Sequence, residues 1–162
     1  MNRTAVNVKE LFVKKRLTLA VAESCTGGLI ASLLTDVPGS SGYFAGGVIA
    51  YANAVKEELL GVRPATLRAS GAVSERTARE MADGARRLCS ANVAVAVTGI
   101  AGPGGGTPRK PVGLVYVALS CGKRTICEKH LFRGGRLQVK KKTAGAALKL
   151  VEAYGRAHGN PA

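Results

Sequence analysis

Three short apolar runs, each breaking into a polar or glycine-rich segment at its C-terminal end, constrain this chain more than any other feature. LTLAVA (17–22) runs into Glu23-Ser24-Cys25-Thr26-Gly27-Gly28, FAGGVIAY (44–51) into the stretch ending at Lys56, and VAVAV (93–97) into Thr98 and a long glycine-rich segment. Apolar runs of this length, bounded by turn residues, predict strands. The stretches between them carry helical spacing. Val8, Leu11 and Phe12 predict a helix over 4–15, and Leu29, Ile30, Leu33 and Leu34 predict one stopped by Pro38-Gly39.

A short helix is expected over 54–60, with Pro64 opening another at its first position. Ser74 predicts the N-cap of a longer helix burying Ala78, Met81, Ala82, Ala85, Leu88 and Cys89. Residues 112–119 and 125–132 read as two further strands joined across Cys121-Gly122-Lys123 as a hairpin, and a last helix over 136–154 buries Leu137, Ala144, Ala147, Leu148 and Val151. Alternating elements with a terminal hairpin predict a layered α/β fold whose sheet of about five strands is mixed. No linker or repeat divides the chain, so residues 1–162 are expected to form one domain.

With 46% hydrophobic and 21% charged residues the composition supports a buried core and excludes a disordered chain. No run approaches the roughly 18 apolar residues of a membrane span. The N-terminal basic residues follow rather than precede the apolar ones, so no signal peptide is expected and a cytoplasmic location is. Four cysteines form no C-x-x-C pair, and Cys127 with His130 is an isolated pair, so no metal site is expected. The formal charge of +14 favours anionic partners, and beyond residue 119 Glu128 and Glu152 are the only acids against ten bases. Nucleic acid is therefore a candidate partner, although 4% aromatics offer no stacking platform. The run Lys140-Lys141-Lys142 itself reads first as a solvated basic helix face.

Ligands of open α/β sheets gather at the carboxyl ends of the strands, where these three segments lie. In the first, Ser24 and Cys25 are candidate nucleophiles beside glycines that let backbone amides approach an oxyanion. Ser24 or Thr26 can equally be a simple N-cap. A serine needs a base, and both histidines fall late in the chain, outside these loops, which leaves a desolvated lysine such as Lys56. Lys56 beside Glu57 and Glu58 also fits an ordinary surface position. The third segment, TGIAGPGGGTP, closes with no Gly-Lys-Ser/Thr and is no P-loop; it can form a flexible connector or a backbone-lined rim with Thr98 at its base.

Together these segments resemble the CinA C-terminal domain family, which also occurs alone as nicotinamide-nucleotide amidohydrolase. The resemblance runs through AESCTGGLIASLLTDVPGSSGYFAGGVIAYANAVKEELLGV, GAVSERTAREMADGA, VAVTGIAGPGGGTPRKPVGLVYVAL and FRGGR. It implies a three-layer α/β/α sandwich with a mixed, mainly parallel sheet, often paired in a homodimer. It also implies hydrolysis of nicotinamide mononucleotide to nicotinate mononucleotide and ammonia without metal or organic cofactor. By the same resemblance Ser24 is the nucleophile, Lys56 its base, and Tyr51 and Thr98 complete the catalytic cluster. Thr26, Gly27, Gly28 and Gly99 would line the substrate, and Arg136 would face its phosphate. The chain departs from the family pattern at Ala52, Arg109, Gly135 and Lys140. A rival within the same chemistry uses Cys25 with Glu23 and Lys56, and a rival of another class is a non-catalytic module binding nucleic acid or a phosphorylated ligand.

Overall fold

The computed structural model describes residues 2–158. Five strands form one sheet in the order β2-β1-β3-β4-β5, with β1 Leu19–Glu23, β2 Phe44–Ile49, β3 Val93–Gly99, β4 Leu114–Ser120 and β5 Thr125–Leu131. β1 pairs in parallel with both β2 and β3, whereas β4 is antiparallel to both β3 and β5. The sheet is therefore mixed, with β4 alone reversed, as the terminal hairpin predicts.

The helices are α1 Arg3–Lys14, α2 Leu29–Thr35, α3 Asn53–Leu60, α4 Pro64–Ser70, α5 Glu75–Leu88 and α6 Arg136–Ala157. They cover the two faces unequally because the central strands sort their side chains by size. Val93, Val95 and Val97 of β3 join Leu19 and Val21 in a large core under α1, α2 and α6. Ala94 and Ala96 join Ala20, Ala22 and Ala118 on the opposite face under α5. Side chains alternate across a strand, so a Val-Ala repeat makes one bulky face and one thin face. The thin face lets α5 sit close with its own small residues Ala78, Ala82 and Ala85.

Close approach continues where α5 meets the end of α3: a Cβ at Gly84 would lie 1.9 Å from the Leu60 carbonyl oxygen. Gly84→Ala is therefore expected to lower unfolding stability by about 1–3 kcal/mol, read from urea melts, because a backbone atom must move.

Ser74 caps α5 as expected, accepting from the Thr77 amide, and Pro64 opens α4 at its first turn. Two expectations fail. Leu88 is 52% and Leu137 69% exposed. Leu88 is the last residue of α5 and Leu137 the second of α6, and at a terminal turn helical spacing alone does not guarantee a packing partner. Smaller differences concern boundaries: α6 runs on to Ala157, α2 ends at Thr35 before Pro38, and β2 stops at Ile49. Among the described residues no helix is long and apolar enough to cross a membrane.

Candidate active site

β1 ends at Glu23, and Ser24 extends its ladder by donating its amide to the Val97 carbonyl at 3.1 Å. The chain then turns through Gly27 and Gly28 at φ +61° and +97°, a conformation that disfavours any side chain. The turn is organised from inside by Glu23. Its carboxylate, 1% exposed, accepts from Thr26 Oγ1 at 2.6 Å and from the amides of Gly28, Ile30 and Ala31 at 3.0, 3.1 and 2.8 Å.

Glu23 thus satisfies the first amides of α2, which are otherwise orphaned at a helix start. Neither Ser24 nor Thr26 is the helix cap. Thr26 is a buried tie to Glu23, while the Ser24 hydroxyl is left to Lys56, whose Nζ lies 3.3 Å away. Of the loop amides, Gly27 donates to the Ser24 carbonyl and Gly28 to Glu23. An oxyanion beside Ser24 is therefore left the neighbouring amides of Cys25 and Thr26 rather than those of the glycines.

Lys56 lies in α3, 32 residues beyond Ser24, and is 1% exposed despite standing beside Glu57 and Glu58. Helical geometry turns it inward while Glu58 faces solvent. Its Nζ donates to the Ala50 carbonyl at 2.7 Å and the Tyr51 carbonyl at 3.0 Å, and lies 3.3 Å from Ser24 Oγ. No carboxylate pairs with it among the ion pairs of the described residues. Burial without a counter-charge lowers its pKa from the ordinary 10.5.

This arrangement has a direct chemical reading. A neutral amine has two N–H bonds and one lone pair. With both N–H bonds held by backbone carbonyls, the lone pair is directed at the remaining neighbour, the Ser24 hydroxyl.

Cys25, next in sequence, is placed differently. It is 5% exposed, and burial, with a smaller contribution from Glu23, pushes its thiol up to about 11 despite the opposing charges of Lys140 and Lys56. Such a thiol is protonated at neutral pH.

The remaining site residues frame the mouth. Tyr51 is 60% exposed, and its hydroxyl accepts from Arg136 Nη2 at 3.0 Å. Arg136 Nη1 donates to the Gly102 carbonyl at 2.8 Å. One guanidinium thus joins the segment after β2, the glycine-rich loop after β3 and the start of α6. Thr98 is buried at the end of β3, and its hydroxyl donates to the Ala72 carbonyl at 2.8 Å, tying β3 to the loop before α5. Gly99 packs where a Cβ would lie 2.6 Å from Val115 Cγ2, so contact with β4 is enough to require glycine there.

The structure brings Ser24 and Lys56 into contact and Tyr51 and Arg136 into contact, and gives Thr98 no hydrogen bond to either pair. Sequence reasoning missed the part of Glu23 in capping α2. An acid just before a glycine-containing turn and a helix was the available signal. The carbonyls of Ala50 and Tyr51 have no sequence signal, because every residue carries the same backbone group.

Among the described residues no group of three or more His, Cys, Asp or Glu side chains gathers as metal ligands would. Cys127 and His130 are three apart on a strand, so their side chains leave opposite faces of the sheet.

The family model described as the CinA C-terminal domain matches residues 1–154. A CinA-like protein of Chlorobium phaeobacteroides is 52% identical over 149 residues, covering 89% of this chain and 36% of that relative. A CinA-like protein of Syntrophus aciditrophicus is 51% identical over 148 residues, covering 91% of this chain and 35% of that relative. The chain therefore spans little more than a third of these curated relatives. The crystal structure of the competence/damage inducible protein CihA from Agrobacterium tumefaciens superposes with a TM-score of 0.89 at 40% identity, covering 94% of this chain and 96% of that one. A CinA superfamily protein from Klebsiella pneumoniae 700603 gives 0.93 at 28% identity, covering 98% and 100%.

Proposed function

The chain belongs to the CinA C-terminal domain family, and from that membership we propose that it hydrolyses the carboxamide of nicotinamide mononucleotide to nicotinate mononucleotide and ammonia, in pyridine nucleotide salvage. The observation that carries this reading is the buried, carboxylate-free Lys56 with its Nζ 3.3 Å from Ser24 Oγ.

In the proposed cycle neutral Lys56 takes the Ser24 proton as Oγ attacks the carboxamide carbon. The oxyanion that forms meets the amides of Cys25 and Thr26. Collapse of the tetrahedral intermediate breaks the C–N bond, and the nitrogen leaves as ammonia with the proton held by Lys56. A water molecule then gives a proton to Lys56, attacks the acyl carbon and releases the carboxylic acid, returning the proton to Ser24. Tyr51, braced by Arg136, closes the mouth over the substrate, and Arg136 adds positive charge to the approach of the anionic nucleotide. Thr98, at the end of β3, would help orient the reacting groups or relay protons. The same reading carries a small-molecule substrate with no added cofactor, a cytoplasmic enzyme and assembly of two copies.

Two observations favour Ser24 over Cys25. The Cys25 thiol is held near 11, and all the hydrogen bonds that Glu23 accepts go to its own loop and helix, which leaves that carboxylate unsuited as a base.

Ammonia release from nicotinamide mononucleotide, nicotinamide riboside and free nicotinamide tests the proposal. Release is expected to be fastest with the mononucleotide. Cys25→Ala is expected to stay within about tenfold of the parent, since it removes neither nucleophile nor base. Absence of ammonia from all three compounds rejects the amidase, and salt-dependent nucleic-acid binding is then the measurement to make.

A further inference from the structure

The chemistry at Ser24 leaves two lysines of α6 unused. A groove of about 360 Å³ opens between the turn before α2 and the first half of α6, lined by Thr26, Gly27, Gly28, Leu137, Lys140 and Lys141 among others. Its floor begins two residues beyond the nucleophile. The Lys140 ammonium stands over that floor, 3.8 Å from where a Cβ of Gly27 would lie. Its charge also acts on Cys25 from the side of α6, as Lys56 does from α3. Lys140 thus faces the catalytic loop.

Among the described residues no ion pair neutralises it. The ion pairs of the described residues engage Arg63, Arg76, Arg79, Arg156 and His130, and neither Lys140 nor Lys141. Glu23, the acid beneath the loop, spends its carboxylate on Thr26 and the amides of Gly28, Ile30 and Ala31. Those occupied amides are not free to hold a ligand anion. Arg136, one turn earlier on α6, has each terminal nitrogen engaged by Tyr51 or Gly102. Leu137, exposed on the same turn, adds an apolar wall to the groove.

We propose that Lys140, flanked by Lys141 over the Gly27–Gly28 turn, is the seat of the substrate's phosphate monoester. The assignment rests on the amidase reading, in which the ribose carries the phosphate several bonds from the carboxamide at Ser24. A lysine suits the task as a compact, mobile point charge that follows a phosphate without fixed fork geometry. It also separates the work of α6: Arg136 braces the rim, and Lys140 holds the anion.

The test compares kcat/KM for nicotinamide mononucleotide with that for nicotinamide riboside in the parent, Lys140→Met, Lys141→Met and Lys140→Arg. Loss of a charge-assisted contact is expected to lower the mononucleotide-to-riboside ratio about 10- to 100-fold in Lys140→Met. The loss should fall on KM rather than kcat. Lys141→Met should lose less, and Lys140→Arg should keep the preference. An unchanged ratio, or an equal loss on both substrates, overturns the assignment.

Calorimetric titration with ribose 5-phosphate reads the same site without amide chemistry, and binding is expected in the parent and lost in Lys140→Met. If ribose 5-phosphate binds through Lys140 while no compound releases ammonia, the amidase reading falls and the phosphate seat stands. If ammonia is released but ribose 5-phosphate binding ignores Lys140, the seat alone falls.

Discussion

Lys56→Met is expected to lower kcat for ammonia release by on the order of 10³-fold, the share of a positioned general base. Methionine keeps an unbranched, apolar stem one atom shorter but has no lone pair basic enough to take the Ser24 proton. The pH dependence makes the assignment specific. With its pKa lowered by burial, Lys56 becomes neutral at a pH below the ordinary 10.5. In the parent, kcat/KM should therefore rise with pH through one ionisation whose midpoint lies below that value, and the residual activity of Lys56→Met should lack that rise.

Stability carries the same signature. Between the folded pKa and 10.5 the unfolded chain holds the lysine proton while the folded chain has released it, so the unfolded state binds more protons and stability rises with pH. The contribution is complete above 10.5 and is lost as pH falls through the folded pKa. Urea melts across this window should show the rise in the parent and a flatter curve in Lys56→Met. A kcat/KM profile unchanged by the substitution would remove Lys56 from the mechanism.

Ser24→Ala is expected to be the more damaging change, on the order of 10⁴-fold in kcat, since no acyl intermediate can form. The protein should still fold. Ser24 caps no helix, and its backbone bond to Val97 does not involve the hydroxyl. Because nucleophile and base act as a unit, the double variant Ser24→Ala/Lys56→Met should lose little more than Ser24→Ala alone. Mass spectrometry of parent enzyme quenched during turnover should find the acyl adduct on Ser24. An adduct on Cys25, or full activity in Ser24→Ala, would transfer the nucleophile's role to the thiol.

Much of the architecture was legible because it is written in local pattern. The Val-Ala alternation of 93–97 declares a strand buried on both faces. Ser74 and Pro64 mark helix starts through their own backbone preferences. Pattern failed at Leu88 and Leu137, which keep helical spacing in the terminal turns of their helices yet stay exposed.

The candidate site was legible only in part. Local pattern places Ser24, the stretch Tyr51 to Lys56 and Thr98 after strands, hence on one edge of a sheet, and the family resemblance pairs the serine with the lysine. Only the packed fold shows that Lys56 is buried rather than on the surface beside Glu57 and Glu58, with two backbone carbonyls and Ser24 around its Nζ. It also decided that Glu23, and not Ser24, caps α2, and that Lys140 stands over Gly27. The physical reason is the range of the forces involved. Strand and helix patterns follow from each residue's own side chain and its near neighbours in sequence, whereas desolvation and hydrogen-bond partnership at Ser24 depend on segments distant in sequence that meet only when the sheet and its two helical layers close.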